Sequence, residues 1–335
     1  MKLLSVKRLL AVFGLLLVLA GVSAVSAQEG TTYTVLAGGF GPANIEALAF
    51  SPNTLQVHRG DTVVWQIGGF HNVRLGEAPL EFIIAPTVDG QPLPQFNQEV
   101  VLPSVENGGS YTGGEAGSGL FLDPSMPPVF ALIIDAEPGT YVYYCDIHPG
   151  MVGIIEVVPD DVEIPTPQEV ATAQAVELSR QINAGAGAMQ ETMADHMGMD
   201  MGSSDEPVEV QAGASAERAA VQAFFPGVVV IEAGQSVTWN VPPDSIEVHT
   251  VTWPNYTPAD VFDVQEQEAG PPIFAFGPAV LPTDNTEIAE GDSFNSSFIA
   301  PGQSYTLTFT EPGMYVYVCT LHPGMMGTVV VMAEM

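Results

Sequence analysis

The sequence predicts an all-β protein that contains two copies of one domain, and three observations support this prediction. The chain has 335 residues, which suits two domains with connecting segments. It contains 34 glycines and 28 prolines, and short runs rich in Val, Thr, Tyr and Phe lie between turn signals, as is typical of β domains. The third observation is an internal repeat at a constant offset of 174 residues.

The first 27 residues have the three parts of a secretory signal peptide. Lys2, Lys7 and Arg8 precede an apolar run, and small residues ending at Ala27 follow it. We expect cleavage after Ala27 and a periplasmic, extracellular or cell-surface location. The apolar run is almost long enough to span a bilayer, so retention of this segment as a membrane anchor is the alternative.

The composition is strongly acidic. The 39 Asp and Glu residues outnumber the 7 Lys and Arg residues, and the formal net charge is −32 at pH 7. Beyond residue 27 there is no lysine, and the basic residues are Arg59, Arg74, Arg180 and Arg218. This charge argues against nucleic acid and anionic lipid as partners and would attract basic proteins. Adaptation to a saline habitat explains the charge equally well.

The internal repeat defines the domain organisation. Pro138–Cys145 matches Pro312–Cys319, and the segments that lead to Trp65 and Trp239 match in the same way. We therefore predict a first domain over residues 28–158, a linker over residues 159–207 and a second domain over residues 208–335.

The linker is predicted to be partly helical and rich in methionine. Thr166 to Glu169 has the pattern of a capping box with proline at the first helical position. We expect the helix to end near Asn183, because Gly185 and Gly187 follow, and a flexible tether to come after it. The tether would contain the soft ligands Met189, Met193, His196, Met197, Met199 and Met201. They are either a transient Cu(I) site or an incidental part of the linker.

Both copies end in the motif Cys-x-x-His-Pro-Gly-Met at the end of a predicted strand. Each copy also has a histidine after its first tryptophan-containing strand, so that two equivalent sets of candidate metal ligands arise: His71, Cys145, His148 and Met151, and His249, Cys319, His322 and Met325. A thiolate, two imidazoles and a weak thioether are the ligands of a blue-copper site. A disulfide between the two cysteines and a zinc site are the alternatives.

At these residues the sequence resembles the cupredoxins, the small blue-copper proteins that include plastocyanin, amicyanin and pseudoazurin. The resemblance covers residues 30–158 and 208–333. It implies two Greek-key β-sandwich domains and assigns one type-1 copper to each ligand set. It also implies that His148 and His322 lie near the surface, where they would act as the electron port. In this family an Asn at the position of Asn72 braces the cysteine loop, and the second copy has Thr250 there.

We therefore expect an exported electron carrier with two coppers, which exchanges single electrons with redox proteins such as basic cytochromes or membrane oxidoreductases. A copper-binding protein for storage, delivery or resistance is the alternative.

We do not expect an enzyme. Multicopper enzymes need further histidines next to the cysteine, but Tyr144 and Val318 precede the cysteines here. The remaining histidines, His58 and His196, are too few for a trinuclear copper centre. The first histidine and the cysteine are 74 and 70 residues apart, which is more than in the compact cupredoxins. The resemblance therefore implies an extra excursion in each domain, such as Gly76 to Gly119.

Overall fold

A computed structural model of the chain describes residues 30–88, 91–123, 125–196, 206–254, 256, 258–289 and 291–333. The predicted signal segment lies outside the described residues, and so do Met197, Met199 and Met201. The described part is mostly β structure, as the sequence predicts.

The described residues of the first copy form fourteen strands and one short helix. The strands are β1 Thr32–Phe40, β2 Ile45–Ser51, β3 Thr54–His58, β4 Thr62–Ile67, β5 Arg74–Leu75, β6 Ile83–Ile84, β7 Thr87–Val88, β8 Gln91–Pro92, β9 Gln95–Phe96, β10 Ser110–Tyr111, β11 Ala116–Gly117, β12 Val129–Ile134, β13 Gly139–Tyr144 and β14 Val152–Val158. The short helix is α1, Gln98–Val101, and a 3-10 turn covers Pro42–Asn44.

A long helix, α2, Pro167–His196, connects the first copy to the second. The strands of the second copy are β15 Val208–Ala216, β16 Ala219–Phe225, β17 Val228–Glu232, β18 Ser236–Asn240, β19 Thr252–Trp253, β20 Phe262–Gln265, β21 Ile273–Phe276, β22 Glu287–Ile288, β23 Phe294–Asn295, β24 Ser304–Phe309, β25 Gly313–Val318 and β26 Met326–Met332. A 3-10 turn covers Pro258–Val261.

Each copy has its own hydrophobic core between two layers of strands. In the first copy, β10-β12-β4-β1-β2 form one layer and β11-β5-β13-β14-β3 form the other. The second copy repeats this with β16-β15-β18-β24-β22 and β17-β26-β25-β19-β23. Trp65 and Trp239 are fully buried at equivalent places in the two cores, where each ring packs edge-on against a tyrosine. Apolar residues alternate along β4 and β18, which is the pattern of strands with one face on a core.

The two copies share one continuous sheet. β2 pairs antiparallel with β16, so that their layers join into a sheet of ten strands. The pairs are Ile45 with Val221, Glu46 with Ala220 and Ala47 with Ala219. Since β2 and β16 are equivalent in the repeat, this register relates the two copies by a local twofold axis at the Glu46–Ala220 pair. We call this pairing the seam.

The linker helix begins as predicted but does not end where the sequence suggested. Thr166 and Glu169 form the reciprocal hydrogen bonds of the capping box. The prediction of an end near Asn183 is wrong, because α2 runs through Gly185 to His196. Gly185 is buried against Ile45 and Ala219, where a larger residue would not fit. Packing on the seam therefore outweighs the low helix propensity of glycine.

Part of the methionine-rich stretch, up to His196, therefore belongs to helix α2 and not to a flexible tether. Met189 lies on α2 and packs against the apolar cluster at the seam, together with Ile182 and Ala186. Met193 is an exposed residue of the same helix, and Nδ1 of His196 lies 2.8 Å from the Thr192 carbonyl oxygen. The expectation that residues 189–196 belong to a flexible tether is thus corrected.

The predicted excursions of the two copies pack on each other. β9 of the first copy pairs with β21 of the second, in a sheet of order β20-β21-β9-β6. Phe96, Phe274 and Val261 are buried in a third core that this sheet shares with neighbouring loops. The excursions therefore form a second contact between the copies. Among the residues described, no helix is both long and apolar enough to cross a membrane.

The two linker glycines provide a direct test of how α2 packs. An added Cβ at Gly185 would lie 2.5 Å from Cγ2 of Ile45, whereas at Gly187 it would meet nothing within 4 Å. We expect Gly187→Ala to raise the free energy of unfolding by up to about 1 kcal/mol through helix propensity. Gly185→Ala should lower it by about 1 kcal/mol, because overpacking costs typically 1–3 kcal/mol. Urea unfolding measures both, and equal stabilisation by the two substitutions would contradict the packing on the seam.

Candidate metal centres

The candidate ligands are positioned by the ends of strands in both copies. Cys145 directly follows β13, and Cys319 directly follows β25. His71 lies between β4 and β5, and His249 forms an isolated bridge with Ile299. The regular pairing of these strands fixes the backbone on either side of each site.

The structure brings each predicted pair of histidines to its cysteine. In the first site, Sγ of Cys145 lies 3.6 Å from Nδ1 of both His71 and His148, and the two Nδ1 atoms are 2.9 Å apart. In the second site, Sγ of Cys319 lies 3.9 Å from Nδ1 of His249 and 3.2 Å from Nδ1 of His322. In each group the three ligand atoms lie within 4.8 Å of one another, which is a spacing that could hold a metal ion.

The Cys-x-x-His-x-x-Met loop closes on itself through backbone hydrogen bonds. In the first site Cys145 N donates to Met151 O at 3.0 Å, and Met151 N donates to His148 O at 3.0 Å. The second site has the equivalent bonds at Cys319 and Met325. Gly150 supplies the positive φ of 80° that this turn requires. Both methionines are 1% exposed and belong to the cores that contain the cysteines.

A glycine in a β-bulge lies behind the first histidine of each site. The β1–β2 register shifts at Gly38, and the β15–β16 register shifts at Gly213. A Cβ at Gly38 would overlap Nε2 of His71, and one at Gly213 would overlap Nε2 of His249. The bulges therefore make room for imidazole rings that the sheet would otherwise exclude.

The residue after the first histidine braces the cysteine loop in both copies. Asn72 accepts a 2.8 Å hydrogen bond from the backbone of Asp146 and donates a 2.7 Å bond to its carboxylate. Thr250 accepts an equivalent 2.8 Å bond from the backbone of Thr320, and the two hydroxyls are 3.0 Å apart. The bracing role is thus common to both sites, but an acidic side chain follows Cys145 and a neutral one follows Cys319.

The loop histidines, which the resemblance places near the surface, are largely covered by the opposite copy. The side chains of His148 and His322 are 12% and 10% exposed, because each metal-site loop faces the opposite copy across the seam. Arg218 donates to Pro149 O at 3.1 Å and to Leu48 O at 3.0 Å, and so covers the first loop. Its repeat equivalent, Asn44, lies beside Gly324 of the second loop.

Two buried glutamates face the far side of the imidazole rings. Glu46 Oε1 lies 3.0 Å from Nε2 of His71, and its other oxygen accepts a hydrogen bond from Gln222. Glu247 Oε1 lies 3.2 Å from Nε2 of His322 and 3.6 Å from Nε2 of His148. The two sites are therefore neighbours with a common carboxylate between them.

The ionisation of the two sites differs. Burial raises the pKa of Cys145 to about 11 and lowers that of His71 to about 4. Burial also opposes ionisation of Cys319, but His322 at 3.2 Å outweighs it and holds the pKa of this thiol well below its usual value. Burial likewise opposes a charged His322, yet Glu247 and Cys319 raise its pKa. At neutral pH these shifts favour a thiolate and an imidazolium in the second site, and a neutral thiol and imidazole in the first.

The two buried glutamates, Glu46 and Glu247, also have shifted pKa values. Burial raises the pKa of Glu46 to about 7, and the nearby charge of Glu247 adds to the effect. For Glu247 burial acts in the same upward direction, but the imidazoles of His322 and His148 outweigh it and lower the pKa to about 2. These directions favour the ionised form of Glu247 over that of Glu46 at neutral pH.

Both cysteines are free and buried, which removes the disulfide alternative. Sequence reasoning missed Glu46, Glu247, Arg218 and the two bulge glycines. Glu46 could have been noticed as a charged residue within the apolar strand β2. Glu247 lies in the longer of the two segments that join tryptophan to histidine, but nothing in the sequence indicates that this segment crosses to the other copy.

Comparison with known proteins supports a copper-binding domain in the second copy. Residues 208–332 match the family of copper binding proteins described as the plastocyanin/azurin family. Amicyanin from Paracoccus versutus (Thiobacillus versutus) is 22% identical with a TM-score of 0.23, and the match covers 39% of this chain and 85% of amicyanin. An amicyanin variant in its Cu(I) form has the same identity and TM-score, with 39% and 86% covered. No curated protein matches the sequence.

The bulge glycine gives a site-specific prediction. Gly38→Ala should displace the His71 ring from its present position beside Cys145 and weaken Co(II) binding at the first site by at least about tenfold, as loss of an orienting contact does. Gly60→Ala is the control, because Gly60 also has a positive φ but nothing lies within 4 Å of an added Cβ. It should lower stability without changing metal affinity. Equal affinity losses in both variants would contradict a role of Gly38 in placing His71.

The thiol pKa values predict unequal ionisation in the metal-free protein. At pH 7 we expect one thiolate per chain, because Cys319 is ionised while Cys145, with a pKa of about 11, is protonated. Ultraviolet absorption of the thiolate, followed from neutral to alkaline pH, measures this. Cys319→Ser should abolish the signal at pH 7, and Cys145→Ser should leave it. A neutral-pH signal that depends on Cys145 would overturn the assignment.

Proposed function

We propose that the chain is an exported blue-copper electron-transfer protein with one type-1 site in each copy of the repeat. The observation that carries this proposal is that a thiol and two imidazoles come together twice in the chain. In each group the cysteine and one histidine lie on a loop that ends in a buried methionine, and the second histidine comes from a distant segment. One of these groups lies within the segment that matches the copper-binding family. Thiolate, imidazole and thioether are together the donors preferred by copper in such sites, whereas a thioether is a poor ligand for zinc.

The protein residues would hold the metal in a fixed, dry environment. His71, Cys145, His148 and Met151 would form the first site, and His249, Cys319, His322 and Met325 the second. Copper bound there supplies one-electron chemistry between its cupric and cuprous states. The loop hydrogen bonds, the bracing by Asn72 and Thr250, and the bulge glycines hold the ligands in place. Such rigidity favours electron transfer, because little rearrangement accompanies a change of charge.

Storage or delivery of copper is the second candidate, and burial argues against it. A delivery protein must release its metal to an acceptor, yet His71, Cys145 and Met151 are all at most 2% exposed. The cuprous site suggested for the linker also loses support, since Met189 packs at the seam. A metal that is enclosed in this way is better suited to exchanging electrons than to leaving.

Partners and location follow from the charge and the N-terminal segment. The signal-like residues 1–27 support export to the periplasm or the cell exterior. The formal charge of −32 supports basic redox proteins, such as cytochromes or membrane oxidoreductases, as partners at low ionic strength. We propose no substrate and no enzymatic reaction.

A copper titration of the chain from residue 28 tests the function. We expect two coppers per chain, an intense thiolate-to-copper absorption and the EPR spectrum of type-1 copper. Cys145→Ser and Cys319→Ser should each remove half of the absorption. The bound copper should exchange electrons rapidly with a small inorganic reductant and should not pass to a cuprous chelator.

Two results would count against the electron carrier. Colourless binding of cupric ion would exclude type-1 sites. Cuprous binding that survives both cysteine substitutions, but is lost when Met193, Met197, Met199 and Met201 are replaced together by leucine, would favour storage or delivery.

A further inference from the structure

The two sites meet at one carboxylate oxygen. Glu247 belongs to the second copy, yet its Oε1 atom lies 3.6 Å from Nε2 of His148 in the first copy and 3.2 Å from Nε2 of His322 in its own. The glutamate side chain is 3% exposed, so water does not screen these interactions. Glu247 comes two residues before His249 in the sequence. The first copy has no glutamate at the equivalent place, because Gly69 and Phe70 precede His71.

The chemistry of a metal-binding imidazole makes this contact important. In both sites the Nδ1 atoms face the cysteine sulfur. An imidazole that binds metal through Nδ1 carries its proton on Nε2 and donates it to an outer acceptor, which fixes the ring and strengthens it as a ligand. At His322 Glu247 occupies that acceptor position at hydrogen-bond distance, 3.2 Å. At His148 the same oxygen is the carboxylate that faces Nε2, at 3.6 Å, so a small movement of the ring brings it within hydrogen-bond distance.

We infer that Glu247 is a positioning residue for both metal sites, so that the first site is completed by the second copy and the two sites are not independent. This inference deepens the proposed function, on which its metal-binding part rests. Glu46 offers a contrast, because its carboxylate lies 3.0 Å from His71 and its other oxygen is held by Gln222. Glu46 thus contacts a candidate ligand of the first site only, whereas Glu247 contacts one candidate ligand of each site.

The carboxylate of Glu247 can accept further hydrogen bonds. Oε2 of Glu247 is buried without a hydrogen-bond partner among the described residues, so no other group holds the carboxylate toward one site. A single carboxylate can accept several hydrogen bonds, and two donors on one oxygen are within its capacity. A metal ion that orders either imidazole therefore also orders the acceptor of the other.

The metal-free protein gives the first test, which does not depend on copper. Imidazole ¹⁵N resonances are compared between the wild type and Glu247→Gln, a substitution of nearly equal size. We expect the Nε2 resonances of both His148 and His322 to move, while Glu46→Gln moves those of His71. Movement of His322 alone would overturn the inference. Glu247→Asp, which keeps the charge but shortens the reach, should move the same two resonances if the glutamine variant does not fold.

Metal affinity gives the second test. With Cys319→Ser only the first site should bind Co(II), and with Cys145→Ser only the second. Adding Glu247→Gln to each background should weaken binding by about tenfold or more in both. Asp244→Asn, an exposed acid on the same segment, controls for loss of charge and should change neither affinity. A loss confined to the second site would refute a shared role.

The two tests separate the inference from the proposed function. If Glu247→Gln moves both histidine resonances but the wild type binds no metal, the shared contact is correct and the proposed function is wrong. If the wild type binds two metals but Glu247→Gln affects only His322, the proposed function stands and the inference fails.

Discussion

The backbone pairing of β2 with β16 is the constraint on which both candidate sites depend. Its register places Glu46 opposite Ala220 and turns the metal-site loop of each copy toward the other. Without this seam, Arg218 could not reach Pro149 and Glu247 could not reach His148. Helix α2 and the sheet shared by the excursions hold the same arrangement from outside, which explains why a glycine-containing linker is ordered as helix.

Much of the local chemistry could be predicted from the sequence, because it resides in short motifs. The repeated Cys-x-x-His-x-x-Met loops and the upstream histidines indicated two sets of ligands, and the structure brings each cysteine together with its two histidines. The strand-rich character followed from short runs rich in Val, Thr, Tyr and Phe between turn signals, and the capping box located the start of α2. These features depend on neighbours in sequence or on one sheet, which patterns record directly.

What could not be predicted depends on how the copies meet. The sequence of the first copy does not show that Glu247 and Arg218 of the second copy lie against the loop that carries His148. Gly185 reads as the end of a helix, since the sequence does not reveal that Ile45 and Ala219 will pack against it. Glu247 could not be predicted for the same reason. Its contact His322 is 75 residues away in the sequence, and its other contact, His148, belongs to the first copy.

The local twofold axis has a consequence for how such a protein can diverge. Its seam has the form of the isologous interface of a symmetric homodimer, in which every residue acts twice. In a homodimer a substitution necessarily alters both centres, whereas a fused chain can alter one of them. The pairs Arg218 and Asn44, and Asp146 and Thr320, are such differences at equivalent positions. Covalent fusion thus allows two structurally equivalent halves to evolve different candidate sites.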